Sequence, residues 1–238
     1  SRLHLYASPV GAAPEDPFVA LSHPPELARH LVQLSGRFNT VGWEEDTAAL
    51  NAELLSDEAF LADLLGTMEQ RGQMTLARLR EGVPPLFVSV WTGPDRASHM
   101  FWRLEDTSSP RYDAVLAERM GDAIDQTYRA MDRIVGNVRA SLPEDALLFV
   151  MSDHGFHGFE RQVHVNRWLI DAGFLVLNED GRSIQDADWS RTQAYALGTG
   201  QIYLNLEGRE ERGLVAFGDR EQLLDAIGKG LLQLRDDE

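Results

Sequence analysis

Pro84-Pro85-Leu86-Phe87-Val88-Ser89-Val90-Trp91-Thr92-Gly93 and Ala146-Leu147-Leu148-Phe149-Val150-Met151-Ser152 are the two stretches that decide how this chain reads. Each is a short, nearly continuous apolar run, and each is bounded by proline, glycine or polar residues. Such a run predicts a strand buried on both faces, the pattern of a parallel sheet covered by helices. Between them, Tyr112 to Leu142 carries apolar residues at helical spacing, with Ile124, Tyr128, Met131, Ile134, Val135 and Val138 on the inner face, and Pro143 stops it. Strand, long helix and strand together predict a right-handed crossover within one sheet. The expected fold class is therefore α/β. The chain reads as a three-layer α/β/α domain with a mainly parallel sheet, in which Leu86–Trp91 and Leu147–Met151 are central neighbours or near-neighbours.

Further elements extend from this centre in both directions. Upstream, Pro24-Pro25 opens a helix that runs to Ser35 and stops at Gly36, and Ser56 caps a long helix from Asp57 to near Glu81-Gly82. Phe60, Leu61, Leu64, Leu65 and Met68 form the apolar stripe of that long helix. Residues 1–25 form an irregular lead-in, with a short strand at Leu3-His4-Leu5-Tyr6. Downstream, the reading is a loop from Ser152 to Glu160, a helix from Val165 to Ala172 ended by Gly173, and a strand at Phe174–Leu177. A polar loop from Asn178 to Asp188, a strand at Ile202–Leu206 and a last helix from Glu221 to Leu234 complete it. Residues 1–238 read as a single domain, with the α/β core in 26–238.

Composition narrows the function classes. Lys and Arg number 22 against 38 Asp and Glu, a net charge of −16. Duplex nucleic acid is not an expected partner, because binding it needs a basic footprint. No run approaches the roughly 18 apolar residues of a membrane span, and Ser1 to Pro9 lacks the basic and apolar regions of a signal peptide. There is no cysteine, so any metal must sit on His, Asp and Glu. Absence of cysteine suits any compartment and leaves the location open.

Both central runs end in an Asp and a His. The first leads into Thr92-Gly93-Pro94-Asp95-Arg96-Ala97-Ser98-His99, the second into Ser152-Asp153-His154-Gly155-Phe156. Parallel sheets bind ligands at the carboxyl ends of their strands. Asp95 and His99 are four apart, so a turn or short helix aims both at one point. Asp153 and His154 are adjacent and need a sharp bend, which Gly155 permits by tolerating positive φ. Carboxylate and imidazole donors suit Zn, Mn or Fe better than Ca. Two such half-sites suggest a two-metal centre that clamps a phosphate. Each motif alone also has a structural reading, in which Asp153 caps a turn and His99 packs beside Trp102.

Asp95-Arg96-Ala97-Ser98-His99-Met100-Phe101-Trp102 resembles a motif of the type I phosphodiesterase and nucleotide pyrophosphatase family, within the alkaline phosphatase superfamily. Ser152-Asp153-His154-Gly155-Phe156 resembles its second metal motif. Tyr128 to Gly136, Asn166-Arg167-Trp168-Leu169, Gly173-Phe174-Leu175 and Ile202 to Glu210 are similar to further segments, in the family's order.

The resemblance implies an alkaline-phosphatase-like fold and two divalent ions, with Zn or Mn expected. Asp95 and His99 would bind one ion, Asp153 and His154 the other. It implies hydrolysis of a small phosphodiester or phosphomonoester by a Thr or Ser nucleophile, through a phosphoenzyme. In the family that nucleophile and a further Asp follow a first strand, and a third His lies beyond the segment matching Gly208-Arg209-Glu210. Neither is found here. The expectation is a partial domain, inactive alone, whose nucleophile lies upstream of this chain. Thr92 lies nearest a ligand but follows the wrong strand, and His157 and His164 are the only later histidines. The other readings are a non-catalytic binding or structural domain of the same descent, and a superfamily mutase or sulfatase.

Overall fold

The computed structural model describes residues 6–7, 11–40, 45–158 and 161–235. Where the sequence reads as one domain, the chain gathers into two compact units, Ser1–Glu160 and Arg161–Glu238.

The first unit is helical among its described residues. Helices α1 (Leu27–Ser35), α2 (Thr47–Asn51), α3 (Asp57–Arg80), α4 (Gly93–Glu105), α5 (Ala114–Met120) and α6 (Ala123–Ser141) follow in order. Helix α1 begins just after the Pro24-Pro25 start signal and ends at Gly36, whose φ of 83° is the left-handed stop expected there. Helix α3 begins where Ser56 predicts it, with the Ser56 side chain accepting from the Ala59 N–H. Asp57 and Glu58 in its first turn and Arg78 and Arg80 in its last complement the helix dipole.

The core is made where α3, α4 and α6 pack together. Phe60, Leu61, Leu64 and Met68 of α3 meet Ala97, Phe101 and Leu104 of α4 and Ala123, Ile124, Ala130 and Ile134 of α6. Gly93, at the start of α4, allows the closest approach. A Cβ there would lie 2.5 Å from the Met68 sulfur, so a side chain at 93 would force the Met68 side chain or α4 to shift. Arg103 of α4 adds an ion pair to Asp57 of α3 at 2.5 Å.

Several expectations require correction. The helix expected over Tyr112–Leu142 is two helices. Asp113 caps α5 by accepting from Val115 and Leu116 N–H, and the chain breaks at Gly121-Asp122 before α6. Glycine is a weak helix former, so the junction is a favourable place to break. Of the inner face expected for α6, Ile124 and Ile134 are buried and Met131 and Val138 pack against the core, whereas Tyr128 is exposed; Ala123, Thr127 and Ala130 join the buried face. The small residues Ala123 and Ala130 extend that face where the helices come close.

The larger correction concerns the sheet. Leu86–Trp91 and Ala146–Met151 form no β-ladder with any described residue. Their side chains are largely in solvent, with Val88 75% and Met151 86% exposed. An apolar run becomes a buried strand only when neighbours satisfy its backbone and cover its faces, and the described residues supply no such neighbours. The mainly parallel three-layer sheet is therefore not formed among them. Of the expected strand at Leu3–Tyr6, residues 3–5 lie outside the described residues, and the Tyr6 hydroxyl donates to Asp46 at 2.5 Å.

The second unit mixes helix and strand. Helix α7 (Val165–Asp171), strands β1 (Ala194–Leu197) and β2 (Gln201–Leu204) and helix α8 (Arg220–Leu231) surround a core of Leu169, Leu175, Ala194, Ala196, Leu204, Leu206, Val215 and Ile227. The strands pair antiparallel, Ala194 opposite Leu204 and Leu197 opposite Gln201. The strand expected at Ile202–Leu206 is β2, shortened. The one expected at Phe174–Leu177 is reduced to a bridge between Leu177 and Ala187. The expected polar loop holds a single 3-10 turn at Ile184–Asp186.

Just beyond β2, Asn205 is buried and gathers three turn and loop carbonyls. Its Nδ2 reaches Trp189 O at 3.0 Å, Thr192 O at 2.9 Å and Arg212 O at 3.0 Å. Nearby, the Glu210 carboxylate accepts from Leu206 N–H at 2.8 Å and pairs with Arg209. That pairing and the backbone donor hold its carboxyl below the usual carboxylate range. Asn205→Ala should destabilise this unit by about 2 kcal/mol, the cost of stranding buried carbonyls. Urea unfolding read by amide exchange in β1 and β2 would measure it. A loss under about 0.5 kcal/mol would mean that water replaces the amide.

Candidate metal centre

Helix α4 is the element that organises the site, and its sequence sorts its residues onto two faces. Ala97, Phe101 and Leu104, at i, i+4 and i+7, are buried in the core. Asp95, His99 and Trp102 repeat the same spacing two residues earlier and stand on a different face. The four-residue spacing of Asp95 and His99 suits a turn or short helix, and the segment is a helix of 13 residues. Asp95 lies in the first turn, where the helix dipole favours a carboxylate.

Three of the four expected ligands converge. His99 Nε2 lies 3.4 Å from Asp95 Oδ1. His154 Nε2, from the segment after the second apolar run, lies 3.5 Å from the same oxygen. Asp153 is set apart, with its side chain 91% exposed and its Oδ2 3.8 Å from His154 Nε2. His154 thus stands nearer Asp95 than its own neighbour Asp153. The His154 ring is oriented by the backbone. Its Nδ1 lies 3.1 Å from the Gly155 carbonyl, so a proton on Nδ1 leaves the Nε2 lone pair facing Asp95.

Phe156 completes the arrangement, and sequence reasoning gave it no role. Its ring meets His99 edge-on at 4.8 Å and His154 at 5.2 Å, and stacks on Trp102 at 6.1 Å. Trp102 therefore touches Phe156, and Phe156 is the partner of both histidines. The signal was the aromatic directly after His154-Gly155. Gly158 lies against Asp106, the residue that ends α4, where a Cβ would collide with the carboxylate. The segment from His154 to Gly158 accordingly follows α4 from its first turns to its end. Gly155 does not take the positive φ expected of it; the bend is made without a left-handed residue.

The other residues singled out lie elsewhere. His157 is exposed, its Nδ1 2.5 Å from the Gly158 carbonyl. His164 is exposed at the start of α7 in the second unit. Thr92 is the N-cap residue of α4, and its hydroxyl is turned to Glu45.

The donor types, carboxylate oxygen and imidazole nitrogen, are ones that divalent ions take. Bonds of about 2.0–2.2 Å in a tetrahedral shell set donor atoms about 3.3–3.6 Å apart, and both separations from Asp95 Oδ1 fall in that range. Carboxylate oxygen with imidazole nitrogen suits zinc or manganese. Among the described residues no group of three or more His, Asp or Glu side chains is arranged to hold a metal ion. No helix among the described residues is long and apolar enough to cross a membrane.

Comparison with curated proteins and with solved structures gave no match. The model of the family described as type I phosphodiesterase / nucleotide pyrophosphatase matches residues 17–238. That span takes in α1 to α8 and both Asp-His motifs, and the family is one of α/β hydrolases of the alkaline-phosphatase-like kind acting on small phosphoesters. This chain belongs to the type I phosphodiesterase / nucleotide pyrophosphatase family.

Proposed function

We propose that this chain carries the metal-binding part of a metal-dependent phosphoester hydrolase. The observation that carries the reading is Asp95 Oδ1 standing between His99 Nε2 and His154 Nε2, at 3.4 and 3.5 Å, from two separate motifs of a phosphodiesterase family. In this reading Asp95 and His99 hold one ion, and Asp153 and His154 hold a second. Zinc or manganese bound there would supply charge stabilisation for the phosphoryl oxygens and activate the nucleophile. The chain's own contribution is to aim the donors. Helix α4 fixes Asp95 and His99 a turn apart, the Gly155 carbonyl sets the His154 tautomer, and Phe156 braces both rings.

The mainly parallel sheet of the family belongs to the same proposal. Leu86–Trp91 and Ala146–Met151 carry the apolar pattern for its central strands, and each leads into a ligand motif. The nucleophile, a Thr or Ser, and a further Asp ligand come from a segment beyond this chain. Two protein ligands per ion are one short of the three usual for catalytic zinc, so the chain alone should bind metal weakly and turn over poorly. The substrate is a small phosphodiester or phosphomonoester rather than duplex nucleic acid, in keeping with the net charge of −16.

The test is turnover of bis(4-nitrophenyl) phosphate with added Zn or Mn, by this chain and by its full reading frame. The expected result is negligible turnover by the chain and metal-dependent turnover by the longer protein, lost on Asp153→Ala without unfolding. Robust metal-dependent turnover by the short chain would overturn the nucleophile assignment, and Thr92, His157 and His164 would then be the residues to substitute.

A further inference from the structure

Glu45 is a buried carboxylate in an unusual place. Its residue is only 7% exposed and its φ is +94°, a conformation that residues with a side chain rarely adopt. Backbone strain of this kind persists where the surroundings hold it, and it concentrates at functional positions. The Glu45 carboxylate faces the first turn of α4. The Thr92 hydroxyl lies 3.2 Å from Oε2 and 3.4 Å from Oε1, and Arg96 Nε lies 3.9 Å from Oε2. Thr92 is the N-cap residue, yet its hydroxyl makes no capping bond to its own helix. A threonine there ordinarily accepts from the second or third helical N–H; this one donates outward to Glu45 instead. The negative charge also sits at the positive end of the helix dipole. The neighbouring Asp46 is anchored separately, its Oδ1 accepting from Ala49 N–H at 2.8 Å.

We infer that Glu45 is a positioning residue for the metal centre, holding the first turn of α4 through Thr92 and Arg96 so that Asp95 and His99 keep their aim. Arg96 lies between Thr92 and His99 in the chain and directly follows Asp95, so the clamp acts on the turn that carries both donors. On the opposite side Gly93 seats the same turn on Met68. The inference rests on the metal-ligand reading of Asp95 and His99. It differs from that reading in that Glu45 touches neither ion nor substrate.

The experiment has two readouts on the whole chain. Amide exchange of Arg96 to His99, without metal, reports the clamp, and Co2+ titration followed by visible absorption reports its consequence. Glu45→Ala and Thr92→Val are each expected to speed exchange at these amides about tenfold and to weaken Co2+ binding about tenfold, as outer partners of metal ligands do. The double substitution should add little to either single one. Glu45→Gln, which keeps an acceptor for the Thr92 hydroxyl, should stay within about threefold of the parent. Unchanged exchange at Arg96 to His99 in Glu45→Ala would overturn the inference. So would faster exchange spread equally through α6, which would mark a general loss of structure. Were Glu45→Ala to fail to fold, Thr92→Val would carry the same test. Failure of the parent chain to bind Co2+, or binding unaffected by Asp95→Ala, would sink the metal-ligand reading alone, and the exchange data would still decide the clamp.

Discussion

Asp95→Ala is expected to remove divalent-metal binding at the Asp95–His99 half-site while leaving the fold intact. Both histidine nitrogens face one oxygen of Asp95, His99 Nε2 at 3.4 Å and His154 Nε2 at 3.5 Å. Removing that carboxylate leaves two imidazoles from different segments with no carboxylate beside both. Asp153 cannot take its place without moving, because its side chain is 91% exposed and 3.8 Å from the nearer histidine. The affinity for Zn or Mn should fall at least about 100-fold, beyond the 10- to 100-fold typical of losing an outer partner. In the proposed hydrolase a lost ion contribution of several kcal/mol would lower turnover on the order of 100- to 1000-fold. The folding cost should be small. Asp95 is partly exposed, so what is lost is a helix-dipole contact of about 0.3–1 kcal/mol and its solvent-screened contacts to His99 and His154. Calorimetric titration with each metal, set beside urea unfolding, separates the two effects. A dissociation constant within about threefold of the parent would mean that Asp95 is not a ligand.

The parts of this arrangement that could be read in the sequence are those governed by local chemistry. Ser56 capping α3, the stop at Gly36 and the helix at Val165 all follow from short-range hydrogen bonding and backbone preference, and they appear within a few residues of where expected. The gathering of Asp95, His99 and His154 was legible because two motifs followed two similar apolar runs. What the runs themselves do was not legible in the same way. Apolarity states that Leu86–Trp91 and Ala146–Met151 prefer burial, but a strand is a contract with its neighbours, and pairing partners are not written in the run itself. Phe156 and Glu45 were missed for a related reason. Phe156 braces two rings and its only signal is its place directly after His154-Gly155, while Glu45 reaches the start of a helix far along the chain, a contact that no spacing in the sequence marks.

Phe101→Ala should be among the most destabilising substitutions in the first unit, costing about 3–5 kcal/mol. The ring is 1% exposed, its centroid lies 5.9 Å from that of Phe60 and the two planes meet at 56°. It sits where α4 packs on α3, within the cluster of Leu64, Met68, Ala97 and Leu104. Truncation removes the transfer free energy of the ring and leaves a cavity between helices that can close only if α4 moves. Against a typical domain stability of about 5–15 kcal/mol, that is a large share. Phe101→Leu keeps most of the volume and should cost less than half as much.

The two faces of α4 make the consequence for the site specific. Phe101 is on the core face with Ala97 and Leu104, while Asp95, His99 and Trp102 stand on the other. Folded Phe101→Ala should therefore keep metal affinity within about tenfold of the parent, far from the loss expected of Asp95→Ala. Because two compact units need not unfold together, the measurement should follow amides of α4 and α6 through urea unfolding rather than a signal from the whole chain. A midpoint shift equivalent to under about 1 kcal/mol would show that α4 does not rest on Phe60. Loss of metal binding as complete as that of Asp95→Ala in the folded variant would show that the packing face and the ligand face are not independent.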